Sequence, residues 1–351
     1  MSAASGPAIP SAPLSVDIAV TGRCNLACKY CFYADEMAAL RDLPTTRWLE
    51  LFAELGRLAV RRVTLTGGGL AKRTPRHLYA RQRRGGMGIF DLDAPDDDPP
   101  RALVECDEAQ SLLLFTNLAR AFRLPASQVP SAEVRSRGQS IIGRMALLEG
   151  EQWVAALPDE TRGGVALVSE WGFVRYLRHH VFGEYMKPGA AMFDAGKFGP
   201  LAGVCRTPGD GDLFIATRSG KAIRFSEKLV PPQGGQGIRV EAGDRAVAVT
   251  AVYDDSSVFL ADAPGRGTVR LMASFAPNKS AGGGGKIAMH TGELVAALTV
   301  GKEDELFLIT RLSKIIRFMA AEVPAKDAPV QGVNCMLLRA DQVVAAARVA
   351  N

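Results

Sequence analysis

Six arginines recur along this chain at separations of 50, 52, 49, 46 and 47 residues: Arg73, Arg123, Arg175, Arg224, Arg270 and Arg317. Each closes the same phrase, an apolar strand, a small turn and a second short strand. Leu112-Leu-Leu-Phe-Thr-Asn, Leu213-Phe-Ile-Ala-Thr-Arg and Leu306-Phe-Leu-Ile-Thr-Arg read almost alike. A proline follows seven residues after the arginine at Pro130, Pro231, Pro277 and Pro324. A second marker keeps step with the first: an acidic turn before an apolar strand, as in Glu149-Gly-Glu151…Val154 and Ala242-Gly-Asp244…Val247. A repeat of this length holds several short strands, and one such unit cannot bury its faces alone. The expectation is an all-β radial or stacked array of six units, over residues 62–351, with one positive charge per unit.

Residues 14–61 read differently. Leu14, Val16, Ile18 and Val20 alternate as a strand, a cysteine-bearing loop follows, and a helix begins near Thr45 or Thr46. Trp48, Leu51, Phe52, Leu55 and Leu58 fall at helical spacing, and Val63-Thr-Leu-Thr66 gives a second strand. The short N-terminal segment is therefore β-α-β, after a leader over residues 1–13 that lacks the basic start of a signal peptide. No apolar run is long enough for a membrane helix. Cys106, Cys205 and Cys335 stand singly in apolar contexts and read as reduced core residues, which places the chain in the cytoplasm.

Between Lys72 and Arg84 six basic residues occur without an acidic one. The run ends in Arg81-Gln82-Arg83-Arg84-Gly85-Gly86-Met87-Gly88, which joins guanidinium forks to glycines that let backbone amides approach a surface. It reads either as a phosphate grip or as a solvated turn. With the repeats around it, the sequence resembles the C-terminal domain of the bacterial DNA gyrase A protein, and the seven residues from Gln82 resemble that family's glutamine-arginine-arginine-glycine-glycine-basic-glycine box. Met87 departs from the pattern, where a basic residue is usual.

The resemblance implies a six-bladed β-pinwheel, or propeller, that binds double-stranded DNA without base readout and wraps it around its rim. It implies DNA contacts from Lys72, Arg73, Arg81, Gln82, Arg83, Arg84, Gly85, Gly86 and Gly88. Outside the box, Lys221, Arg224, Arg270, Lys314 and Arg317 are the candidates; each blade arginine either faces phosphate at the rim or is a structural residue paired with a neighbouring blade. No cofactor is needed for such binding. No nucleophile segment for strand breakage occurs, so cleavage and ATP hydrolysis would come from gyrase-type catalytic subunits, in the bacterial cytoplasm at the nucleoid.

Cys24, Cys28 and Cys31 form C-x3-C-x2-C, a spacing that can hold three irons of a [4Fe–4S] cluster. With Val63-Thr-Leu-Thr-Gly67-Gly68, this segment resembles a truncated radical S-adenosylmethionine enzyme over residues 14–68, in which Gly67 and Gly68 would help bind S-adenosylmethionine. Gly69 stands where that family has glutamate. The alternative function is thus an iron–sulfur radical enzyme, truncated and fused to a nucleic-acid platform.

Overall fold

The computed structural model describes residues 44–50 and 60–349. Packing divides the chain into two units, Met1–Val60 and Arg61–Asn351. In the first, residues 45–50 are helical, in the region where a start near Thr45 or Thr46 is expected; the expected strand before it lies outside the described residues.

The second unit is a ring of six blades. Each blade has an inner strand, a middle strand, a third strand joined to it by a hairpin, and a two-residue outer strand. The middle and third strands are Val60–Thr66 and Leu70–Pro75 in blade 1, Ser111–Thr116 and Arg120–Pro125 in blade 2, and Gly164–Ser169 and Phe173–Arg178 in blade 3. They continue as Asp212–Thr217 and Lys221–Ser226, Ser257–Asp262 and Arg266–Leu271, and Glu305–Thr310 and Lys314–Met319. The outer strand of every blade comes from a neighbouring unit: Gln139–Ser140 of unit 2 edges blade 1, and Lys286–Ile287 of unit 5 edges blade 4. Ile89–Phe90 of unit 1 edges blade 6, pairing with Lys314 and Ile315, and so closes the ring.

The apolar runs lack alternation because both faces of each middle strand are covered. Leu112 and Leu114 enter the core between blades 1 and 2, whereas Leu113 and Phe115 enter the core between blades 2 and 3. The same split sends Leu213 and Ile215 one way and Phe214 and Ala216 the other. Each core thus belongs to a pair of blades, which makes a lone blade unstable. The core that closes the ring, between blades 6 and 1, has seven buried members against eleven to fifteen in the others.

The threonine ending the repeated phrase caps its hairpin. Thr66, Thr116 and Thr310 accept the N–H four residues on through Oγ1, at 3.0, 3.3 and 3.0 Å. Ser169 and Asp262 do the same at 3.1 and 2.7 Å. Three residues after each cap the backbone is left-handed, at Gly69, Ala119, Gly172, Gly265 and Ser313, and Gly220 takes the same conformation in blade 4, where Thr217 bonds to Ser219 Oγ instead. That turn sets the hairpin spacing on which the repeat depends.

Cys106, Cys205 and Cys335 are buried and unbridged, and burial pushes each thiol up to about 12. Thiolate is therefore scarce at neutral pH. These three react with a thiol reagent at pH 8 only after denaturation; rapid modification in the native state would contradict their packing.

Candidate nucleic-acid interface

The basic glycine-rich loop, residues 80–88, is held at its base by buried polar groups. Tyr79, just before it, donates its hydroxyl to Asp91 Oδ1 at 2.6 Å, just after it. Lys72 Nζ lies 2.8 Å from the same carboxylate and also donates to the carbonyl oxygens of Asp91 and Glu133, at 2.5 and 3.1 Å. Thr64 Oγ1 donates to Asp91 Oδ2 at 3.0 Å. Lys72 and Asp91 are wholly buried. Burial first, then the Asp91 charge, raises the Tyr79 phenol far above its usual value, so it stays a donor. Lys72 thus neutralises an interior carboxylate and cannot meet a phosphate, which corrects its expected role.

The loop also clasps blade 6. Gln82 N–H donates to Arg317 O at 2.8 Å, Gly85 N–H to Cys335 O at 2.7 Å, and Leu337 N–H to Gly86 O at 2.9 Å. Arg84 Nε donates to Glu322 O at 2.7 Å and Nη1 to Asn334 O at 3.1 Å, while its N–H meets the Glu322 carboxylate at 2.9 Å. A Cβ on Gly88 would stand 2.6 Å from Ile315 O, at a φ of +70°. The glycines therefore serve backbone-to-backbone closure of the ring. Arg81 and Arg83 are exposed, and no hydrogen bond or ion pair engages their side chains among the described residues.

For Arg73, Arg224, Arg270 and Arg317 the structure takes the second of the two readings, whereas Arg123 is exposed and paired with Asp159. Arg73 is buried, paired with Glu108, and donates through Nε to Val129 O in blade 2 at 3.1 Å. Arg224 is 2 % exposed, lies 2.8 Å from Asp212 and 2.5 Å from Asp254, and donates to the Met272 and Phe275 carbonyls of blade 5 at 3.0 and 3.2 Å. Arg270 is buried and donates to Lys326 O of the next unit at 3.1 Å. Arg317 pairs with Glu305 at 2.6 Å and donates to Tyr79 O at 2.8 Å, across the closing seam. These four arginines strap blade 1 to blade 2, blade 4 to 5, blade 5 to 6 and blade 6 to 1. Among the remaining candidates, Lys221 is paired with Glu241 at 2.5 Å, and Lys314 is half-buried at the outer edge of blade 6.

Other cations stand exposed at the rim. Arg135 and Arg137 precede the outer strand of blade 1, Lys279 precedes that of blade 4, and Lys286 and Lys326 lie within outer strands. Burial and then the like charges of Arg270 and Arg224 lower the Lys286 ammonium, so a phosphate there would relieve mutual repulsion. Outer strands of two residues are too short to show a pattern, which hid these positions in the sequence. Arg62 was missed for a different reason. It is wholly buried at the closing seam, ion-paired with Glu105 and set over the Phe307 ring, and burial lowers its guanidinium.

Acidic groups line the inter-blade turns, where most are ion-paired with arginines. The turns from one inner strand to the next blade carry Asp107-Glu108, Asp159-Glu160, Asp210 and Asp212, Asp254-Asp255 and Glu303-Asp304. The axial channel, about 1120 Å³, is walled largely by alanine and valine of the inner strands.

A closed ring of six four-stranded blades with exchanged outer strands and exposed cations along its edge defines a β-propeller of the pinwheel kind. The family described as DNA gyrase C-terminal domain, beta-propeller, matches residues 63–98, 110–158, 211–252 and 304–351. The chain is 30 % identical over 301 residues to the DNA gyrase A protein of Mycobacterium leprae, covering 82 % of this chain and 24 % of that protein. It is 27 % identical over 337 residues to the Pseudomonas aeruginosa gyrase A protein, covering 80 % of this chain and 36 % of that one. A solved DNA gyrase A C-terminal domain superposes with a TM-score of 0.73 at 20 % identity, covering 82 % of this chain and 99 % of that one. The C-terminal domain of DNA topoisomerase IV gives 0.59 at 22 %, covering 83 % and 93 %. The chain carries a gyrase A C-terminal-like domain, a six-bladed pinwheel that shares its fold with the C-terminal domains of DNA gyrase A and DNA topoisomerase IV. It spans between a quarter and a little over a third of the gyrase A proteins it matches.

None of these matches supports the radical-enzyme resemblance. Gly67 and Gly68 form the hairpin turn of blade 1, where Gly68 N–H donates to Asp98 at 2.6 Å. Cys24, Cys28 and Cys31 lie outside the described residues, and no metal-binding group occurs among the described ones. The ring thus gives no support to a cluster or to S-adenosylmethionine binding.

Proposed function

We propose that this pinwheel binds duplex DNA along its outer edge and curves it without reading bases, in concert with gyrase-type catalytic subunits in the cytoplasm. The observation that carries this reading is the pair of free guanidinium groups at the outer edge. Arg81 and Arg83 extend, unpaired among the described residues, from a loop whose base is locked, and further exposed cations follow along the outer segments. Phosphates are attracted to such an edge, whereas the carboxylates of the inter-blade turns are largely taken up by arginines. The gyrase proteins and structures matched above support the same direction.

Arg81, Arg83, Arg135, Arg137, Lys279, Lys286 and Lys326 would each neutralise a phosphate, giving a log–log salt slope of about −6. Bending a segment of about 20–30 bp costs roughly 1–6 kcal/mol, which those contacts offset. Sealing a nicked plasmid with ligase in the presence of excess protein shifts its linking number. An unchanged linking number at saturating protein overturns wrapping.

A further inference from the structure

The edge where the box meets blade 6 is apolar as well as basic. Met87 stands at the tip of the loop, 50 % exposed, between Gly86 and Gly88. Gly85 and Gly88 are both left-handed, at φ of +80° and +70°, so the chain turns on either side of it. Leu337 hydrogen-bonds to Gly86, and Phe90 pairs with Lys314; these side chains are 43 % and 40 % exposed. Residues 80–90 contain no acidic group, and the exposed Arg81 and Arg83 lie on the segment of the loop that leads to the tip.

A surface that is apolar at its tip and cationic around it fits a partner that is anionic outside and apolar within. Duplex DNA is such a partner, because its phosphates meet guanidinium while its base stack accepts an apolar wedge from the minor groove. We propose that Met87 is a wedge that enters a base step where DNA crosses the seam between blades 1 and 6, kinking the duplex there instead of bending it smoothly. This rests on the rim-binding reading and adds a mode of deformation to it. Wedges of this kind kink DNA by roughly 20–90°. The Tyr79–Asp91 bond across the loop base keeps the tip from retreating when it is pressed against the stack. The kink settles preferentially on pyrimidine–purine steps, which unstack most readily.

The test uses the full chain and duplexes carrying a fluorescent adenine analogue at one step. Saturating wild-type protein gives a several-fold rise in analogue fluorescence, larger at a TA step than within an A-tract. Met87→Ala abolishes the rise and leaves the salt slope of binding unchanged, and Met87→Leu retains it. Met87→Lys abolishes the rise and steepens the slope by about 0.9, as one added phosphate contact requires. DNA binding with a shifted linking number but no fluorescence rise overturns the wedge and leaves wrapping intact. A rise that persists in Met87→Ala overturns the assignment to Met87. Absence of DNA binding overturns the rim reading and the wedge together, and Met87-dependent binding to anionic vesicles in its place assigns the edge to a membrane surface.

Discussion

Replacing Asp91 with alanine lowers stability by about 3–5 kcal/mol, the usual cost of stripping one partner from a buried ion pair. Lys72 Nζ, 2.8 Å from that carboxylate, would be left with two carbonyl partners and no countercharge in a fully buried position. The Tyr79 and Thr64 hydroxyls would lose their acceptor as well. The denaturant midpoint should fall, and amide exchange over residues 80–90 should accelerate because both ends of the loop are released together. Removing the charge on both sides, with Asp91→Ala and Lys72→Met combined, recovers much of the loss, and the double-mutant cycle reports the coupling. An unchanged midpoint in Asp91→Ala would show that the base of the loop is held by other forces.

The second large effect separates two kinds of arginine that the repeat makes look alike. Arg224→Ala removes one guanidinium from two carboxylates and from two carbonyls of the next blade. The Asp254 side chain is 88 % exposed and regains water, but the strap to the Met272 and Phe275 carbonyls is lost inside the protein. Stability falls by about 1–3 kcal/mol for each carbonyl left unpaired, with no change in the salt slope of DNA binding at a temperature where the ring is folded. Arg81→Ala with Arg83→Ala does the reverse. The midpoint stays within about 0.5 kcal/mol, as for surface changes generally, while the slope becomes shallower by about 1.8. A loss of stability in the loop double variant, or a shallower slope in Arg224→Ala, would exchange their roles.

Why the repeat misleads about these arginines is a matter of geometry. Spacing fixes that one arginine occurs per unit, near the middle of the third strand, but the side chain points wherever the neighbouring blade offers partners. In Arg73, Arg224, Arg270 and Arg317 those partners are carbonyls some fifty residues away in sequence, or across the seam between the ends of the ring. The acidic residues that pair with them, such as Glu108 and Asp254, lie in the turns that lead to the next blade. The box shows the converse. Its residues were legible as a unit, yet the glycines expected to admit a phosphate are used to admit the backbone of blade 6, through Gly85 to Cys335 and Leu337 to Gly86. Arg84 is drawn into the same contact.

The sequence by itself determined the number of blades, the strands within them and the hairpin turns, because these depend on contacts within one repeat. The Thr66 cap and the left-handed residue at Gly69 illustrate this, since both act across only a few bonds. Tertiary structure decided ring closure, the exchange of outer strands and which cations remain free. Each depends on groups brought together from distant units, where burial makes an unpaired charge costly and so selects which arginines turn inward. Arg81 and Arg83 remain outside because the locked loop projects them beyond the reach of any carboxylate of the described ring.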